Sequence, residues 1–172
     1  MSLTKTPICN FGEKAKDFNL KSVENKQVSL NDAKGKNGTL IMFICNHCPY
    51  VKAIIKDLVH DIKFLENLGV KSVGIMSNDV KNYPDDSFEN MISFSKSHDF
   101  SFPYLIDETQ DVAKKYGAVC TPDFFGYNKN MELQYRGRIR ELKNLKPVRN
   151  GDSYLKKAMN LLAETGNGPQ DQ

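Results

Sequence analysis

Apolar residues along this chain gather into short continuous runs that alternate with longer stretches at helical spacing. Thr39 to Cys45 (TLIMFIC) is one such run, bounded by the turn cluster NDAKGKNG and by Pro49. That pattern predicts a strand buried on both faces. From Pro49, the residues Val51, Ile54, Ile55, Leu58, Val59, Ile62, Leu65 and Leu68 recur at helical spacing, and Gly69 stops the run. Lys71 to Ser77 is a second apolar strand. Residues 85–98 predict a helix with Asp85 and Asp86 in its first turn, where the helix dipole favours them. Pro103 to Ile106 is short and extended, and 107–117 is a short helix with an acidic start and a glycine stop. Phe124 to Tyr127 and Glu132 to Arg136 flank a turn at Asn128-Lys129-Asn130, which predicts a hairpin. Ser153 to Ala163 forms a last amphipathic helix. Ahead of all these, Asp17 to Leu30 reads as two extended pieces around a Glu24-Asn25 turn.

The order of elements is βαβα(β)αββα. Early alternation and a late hairpin predict an α/β domain with a mixed central sheet and helices on both faces. We expect the domain to span residues 17–164, with an N-terminal extension at 1–16 and a loose tail at 165–172 that has no apolar anchors. A chain of 172 residues, 40% hydrophobic, holds one core and not two. Net charge is +3. The most basic stretch, RGRIRELKNLKPVR at 136–149, has no interleaved aromatics and reads as a solvated loop face, so no nucleic-acid partner is expected. Without an apolar run near 20 residues or a secretory-type apolar segment at the N-terminus, the expectation is a cytoplasmic protein with no membrane partner. GxGxxG and GxxxxGK[ST] are missing, and no cofactor is expected.

The chemistry lies in ICNHCP, residues 44–49. Cys45 ends the predicted strand and Cys48 opens the predicted helix, with Pro49 in the first turn where proline is tolerated. Free N–H groups and partial positive charge at a helix N-terminus favour a thiolate. Two intervening residues bring the sulfurs within bonding reach. An imidazolium at His47 would further stabilise a neighbouring thiolate. Zinc is the rival reading, but it wants four Cys/His ligands in paired clusters. No second CxxC occurs, His60 and His98 are scattered, and Cys9 and Cys120 are isolated, so no metal is expected. Cys120 reads as a packed small hydrophobe and Cys9 as a free thiol. Asp85-Asp86 reads as a helix start, not a catalytic carboxylate pair. Thr121-Pro122 precedes a strand and is a candidate cis bond.

The segments DFNLKSVENKQVSLNDAKG, IMFICNHCPYVK, SNDVKNYPDDSFENM, FPYLIDETQDVAKKYGAVCTPDFF and YRGRI resemble the thioredoxin superfamily, in the branch related to the redoxin and alkyl hydroperoxide reductase group. The resemblance implies a thioredoxin-like fold with an N-terminal β-hairpin extension. It implies a thiol–disulfide oxidoreductase in which Cys45 attacks and Cys48 resolves. Pro122 would sit in cis against the CxxC, with backbone at Thr121 pairing to substrate. CNHC is similar to the CPHC of disulfide-introducing oxidoreductases, with His47 at the matching place. Partners would be protein or small-molecule disulfides and thiols, and a further electron donor or acceptor. Ile44 stands where relatives carry Trp, so Tyr50 or Phe124 would supply the apolar lip for substrate. The strand before Cys45 lacks the acid that aids the second thiol; Glu108 and Asp79 are the candidates for a base serving Cys48. The chain also resembles peroxiredoxins, which implies an alternative with Cys48 as peroxidatic thiol and an antioxidant activity. In that reading Cys45 replaces the peroxide-ordering Thr of a TxxC motif, and no Arg follows in the helix.

Overall fold

The structure, a computed structural model, describes residues 9–172; of the 1–16 extension, residues 1–8 lie outside the described part. The apolar run at 38–43 becomes strand β3 (Gly38–Phe43), entirely buried, an inner strand of a seven-stranded sheet. Around it stand β1 (Asn19–Ser22), β2 (Gln27–Ser29), β4 (Val70–Met76), β5 (Tyr104–Ile106), β6 (Asp123–Tyr127) and β7 (Leu133–Gly137), in the order β2-β1-β5-β4-β3-β6-β7. β3, β4 and β5 run parallel, while β6 and β7 on one side and β1 and β2 on the other are antiparallel. The sheet is mixed, with an N-terminal strand pair, as the pattern predicts.

Alternate side chains of β3 feed two cores. Leu40 and Met42, with Ile44 just beyond, face α2 (Pro49–Glu66) and α5 (Tyr154–Thr165). Ile41 and Phe43 face the other way, toward Val112 and Tyr116 of α4 (Asp111–Tyr116) and toward Leu30 and Ala33 of α1 (Leu30–Ala33). Helix α2 buries the predicted stripe Val51, Ile54, Ile55, Leu58, Ile62 and Leu65; each such side chain contributes about 1.5–3 kcal/mol by leaving water. Gly69 turns the chain into β4 at φ +77, where a Cβ would meet the Asn37 amide at 2.8 Å.

Four local expectations change. The cluster NDAKGKNG is not all turn: Ser29 and Asp32 form a capping box that starts α1. The helix expected over 85–98 breaks at Ser87 into a 3-10 turn, Pro84–Asp86, and α3 (Phe88–Ser97), whose first turn Ser87 caps. The stretch 136–149 is not simply a solvated face. Arg136 is buried against Asp123, Arg140 and Arg149 close on Asp57 of α2, and a small hairpin of β8 (Leu142–Lys143) and β9 (Lys146–Pro147) lies between. Nor is the tail loose. Gln172 accepts from the Arg136 N–H at 3.1 Å and donates to the Gln134 carbonyl at 2.8 Å, alongside β7. No helix among the described residues is long and apolar enough to cross a membrane.

Candidate functional site

β3 ends at Phe43, and the chain runs through Ile44-Cys45-Asn46-His47 to Cys48, the N-cap of α2, with Pro49 following inside the helix. No side-chain oxygen caps this helix. The Cys48 sulfur lies at this end, where the backbone N–H groups of Val51 and Tyr50 help to lower its thiol. Both cysteines are buried thiols, Cys45 fully and Cys48 5% exposed. Across the sheet, the loop before β6 carries a cis Thr121–Pro122 bond, as expected. Thr121 spans both sulfurs: its Oγ1 lies 3.3 Å from Cys45 Sγ and its carbonyl oxygen 3.4 Å from Cys48 Sγ.

The surroundings move the two thiols in opposite directions. The hydrogen bond from Cys45 and the helix N–H groups bring Cys48 down to about 5, against the opposing effect of burial. Donating that bond, together with burial, pushes the Cys45 thiol far up. Of the two, Cys48 at the helix end is the one pushed toward the thiolate.

Asp86, read from sequence as a mere helix start, stands at the centre of the site. It is fully buried. Its Oδ1 accepts from the backbone N–H of Asn46 (2.8 Å) and His47 (3.2 Å). Its Oδ2 accepts from His47 Nδ1 (2.5 Å) and Asn78 Nδ2 (2.9 Å). The His47 ring stacks on Tyr83 at 4.9 Å and is 23% exposed. From below, the Tyr104 hydroxyl donates to Asn46 Oδ1 at 2.8 Å. A 3-10 turn and the start of β5 thus hold the CNHC turn. Cys45, His47 and Asp86 each offer an atom within 4.8 Å of the others, the spacing of metal ligands. The Asp86 and His47 atoms are already engaged: each carboxylate oxygen accepts two N–H donors, a His47 ring nitrogen among them, while Cys45 Sγ contacts the Thr121 hydroxyl.

The remaining sequence candidates separate. Thr121 and Pro122 join the site half-buried, and Tyr50 follows on the first turn of α2. Phe124 does not join it: 1% exposed and in the core beside Met42, it cannot supply a lip. Exposed Tyr83, over His47, and exposed Val119, two residues before Thr121, are the apolar groups left uncovered near the sulfurs. Asp79 closes its own turn onto Lys81 N–H and Asn82, and Glu108 is exposed in the turn ahead of α4, so neither serves Cys48. Cys120 and Cys9 are half-buried, and burial raises both thiols. Asp86 carried no usable sequence signal, because its role depends on a 3-10 turn that brings it back 38–41 residues along the chain.

The AhpC/TSA family pattern matches residues 11–141. Among curated proteins, the thiol-disulfide oxidoreductase ResA of Bacillus thuringiensis subsp. konkukian is 27% identical over 154 residues, covering 90% of this chain and 82% of ResA. Among solved structures, an uncharacterized conserved protein from Geobacillus kaustophilus is 37% identical with a TM-score of 0.90, covering 98% of this chain and 93% of that one. The thioredoxin domain of a thiol-disulfide oxidoreductase from Bacteroides vulgatus, 17% identical, shares the fold at a TM-score of 0.65, over 76% of this chain and 90% of that one.

Proposed function

The chain belongs to the AhpC/TSA family, and from that premise we propose that Cys48 and Cys45 carry out thiol–disulfide exchange, with Cys48 attacking and Cys45 resolving. The observation that carries the order is the position of Cys48 as the N-cap of α2, where free helix N–H groups favour a thiolate. In the reducing direction the Cys48 thiolate attacks one sulfur of a substrate disulfide. A mixed disulfide forms and the other substrate sulfur leaves as a thiolate. Cys45, deprotonated, then attacks Cys48 Sγ, closing the Cys45–Cys48 disulfide and releasing the second substrate thiolate. Thr121, touching both sulfurs, lines the approach. Its half-exposed backbone is suited to lie along an extended substrate peptide, so protein disulfides are the favoured substrate class.

Trapping tests the order. Cys45→Ser should accumulate a mixed disulfide through Cys48 with a model peptide disulfide, because attack survives and resolution does not. Cys48→Ser should form none. The opposite pattern would restore Cys45 as the attacking thiol. A peroxide-consumption assay on the same proteins separates the peroxidase alternative: peroxide turnover that survives Cys45→Ser and outpaces disulfide exchange would identify Cys48 as peroxidatic.

A further inference from the structure

We propose that Tyr83 selects the substrate at this site, receiving an apolar side chain that lies two or three residues from the cysteine of a substrate peptide. The proposal rests on the exchange reading above and deepens it by naming what the site recognises. Ile44, at the place where relatives carry Trp, is fully buried in the core and offers substrate nothing. Tyr83 is 51% exposed. Its ring lies on the His47 ring at 4.9 Å, only 10° from parallel. One face therefore rests on the CNHC turn while half of the residue stays open to solvent. A His47 ring nitrogen is in turn within 4.8 Å of Cys45 Sγ. An extended peptide advances about 3.3 Å per residue. A chain joined to a reacting sulfur and running over His47 thus brings its second or third residue to the Tyr83 ring.

The ring is held ready for this contact. Tyr83 donates its N–H to the Asp79 carbonyl at 2.9 Å, and its own carbonyl accepts from the Asp86 N–H at 2.9 Å. Pro84 follows at the start of the 3-10 turn and restricts the Tyr83 backbone further. Asp86, at the end of that turn, bonds the backbone N–H groups of Asn46 and His47 and the His47 ring. One carboxylate thus fixes both the Tyr83 backbone and the ring beneath Tyr83. An aromatic group fixed in advance offers a large apolar area and loses little freedom on binding. The two loops then divide the work. Thr121, touching both sulfurs, meets the main chain of any peptide, while Tyr83 distinguishes one side chain from another.

Three substrates separate this role from the exchange chemistry. One is a peptide disulfide with Leu at the second and third residues on both sides of each cysteine. The second is the same peptide with Ser at those places. The third is hydroxyethyl disulfide, which has no side chain to place. Second-order rates are measured with the reduced full chain by acid quench, alkylation and mass analysis. The wild-type protein should reduce the Leu peptide about tenfold faster than the Ser peptide, the scale of one apolar anchor. Tyr83→Ala should bring that ratio to about one, and Tyr83→Phe, which keeps the ring, should preserve it. The ratio is internal to each protein, so a general loss of folding or a shifted redox potential does not move it. A ratio near one in the wild-type protein, a ratio kept in Tyr83→Ala, or a ratio lost in Tyr83→Phe would overturn the proposal. If the wild-type protein reduces neither the peptides nor hydroxyethyl disulfide, the exchange reading itself fails.

Discussion

The opposite displacement of the two thiols sets how the redox couple depends on pH. Reducing a disulfide to two neutral thiols takes up two protons with two electrons. Here Cys48 ionises near 5 while Cys45 stays protonated, so above that pH reduction takes up one. For a two-electron couple each such proton is a tenfold change per pH unit, or about 30 mV. Between about pH 6 and about pH 8 the potential should therefore fall by about 30 mV per unit, half the slope of an unperturbed pair. Below about pH 5 the slope should steepen to about 60 mV, as Cys48 regains its proton. The sign at fixed pH follows too. A Cys48 thiol held below its ordinary range stabilises the reduced protein. That makes the couple more oxidising than a pair with ordinary thiols. The measurement is equilibration with glutathione buffers at each pH, acid quench, alkylation and mass analysis, on protein with Cys9 and Cys120 replaced by Ser. The chain has no tryptophan to report the change by fluorescence. A slope near 60 mV per unit across the whole range would show that neither sulfur is ionised, and would refute the charge placement on Cys48.

Two further perturbations probe the frame around the site. Arg136 is buried with Asp123, at 2.7 Å and 3.3 Å, and also donates to the Gly117 carbonyl. Arg136→Ala strands a buried carboxylate, and urea titration should show a loss of about 3–5 kcal/mol; a loss under about 1 kcal/mol would contradict the buried pair. Tyr104→Phe removes the hydroxyl that satisfies buried Asn46 Oδ1. It should cost about 1–3 kcal/mol in the same titration, and an unchanged midpoint would mean that the CNHC turn does not depend on this bond.

What the sequence disclosed followed from how local each signal was. β3 and α2 were legible because a continuous apolar run and a helical stripe meet at Pro49, and their junction placed both cysteines. The cis Thr121–Pro122 was legible from a proline at a strand entry. The order of attack is a different matter: resemblance points to Cys45, whereas the place of Cys48 as N-cap of α2 is a three-dimensional fact. Phe124 misled because β6 is buried on both faces, so alternation along the strand left no face for substrate. Asp86 was hidden by a good local explanation: acids at 85 and 86 suit a helix start, and nothing nearby in the chain shows the turn folding back onto Asn46 and His47. Arg136 was read by its neighbours' charge, and its own partner lies across a hairpin.

The Gln172 amide deserves a consequence of its own, because it stands where the peptide group of an eighth strand would. It accepts from the Arg136 N–H and donates to the Gln134 carbonyl, two main-chain groups of β7, the last strand of the sheet. A row of open main-chain donors and acceptors is a template for another chain. Here the C-terminal segment occupies that template with a side chain, which can be displaced without unfolding anything. An extended peptide laid along β7 would compete with one glutamine, not with a strand. The sheet thus keeps a side that is closed to accidental pairing yet open to a segment that binds better.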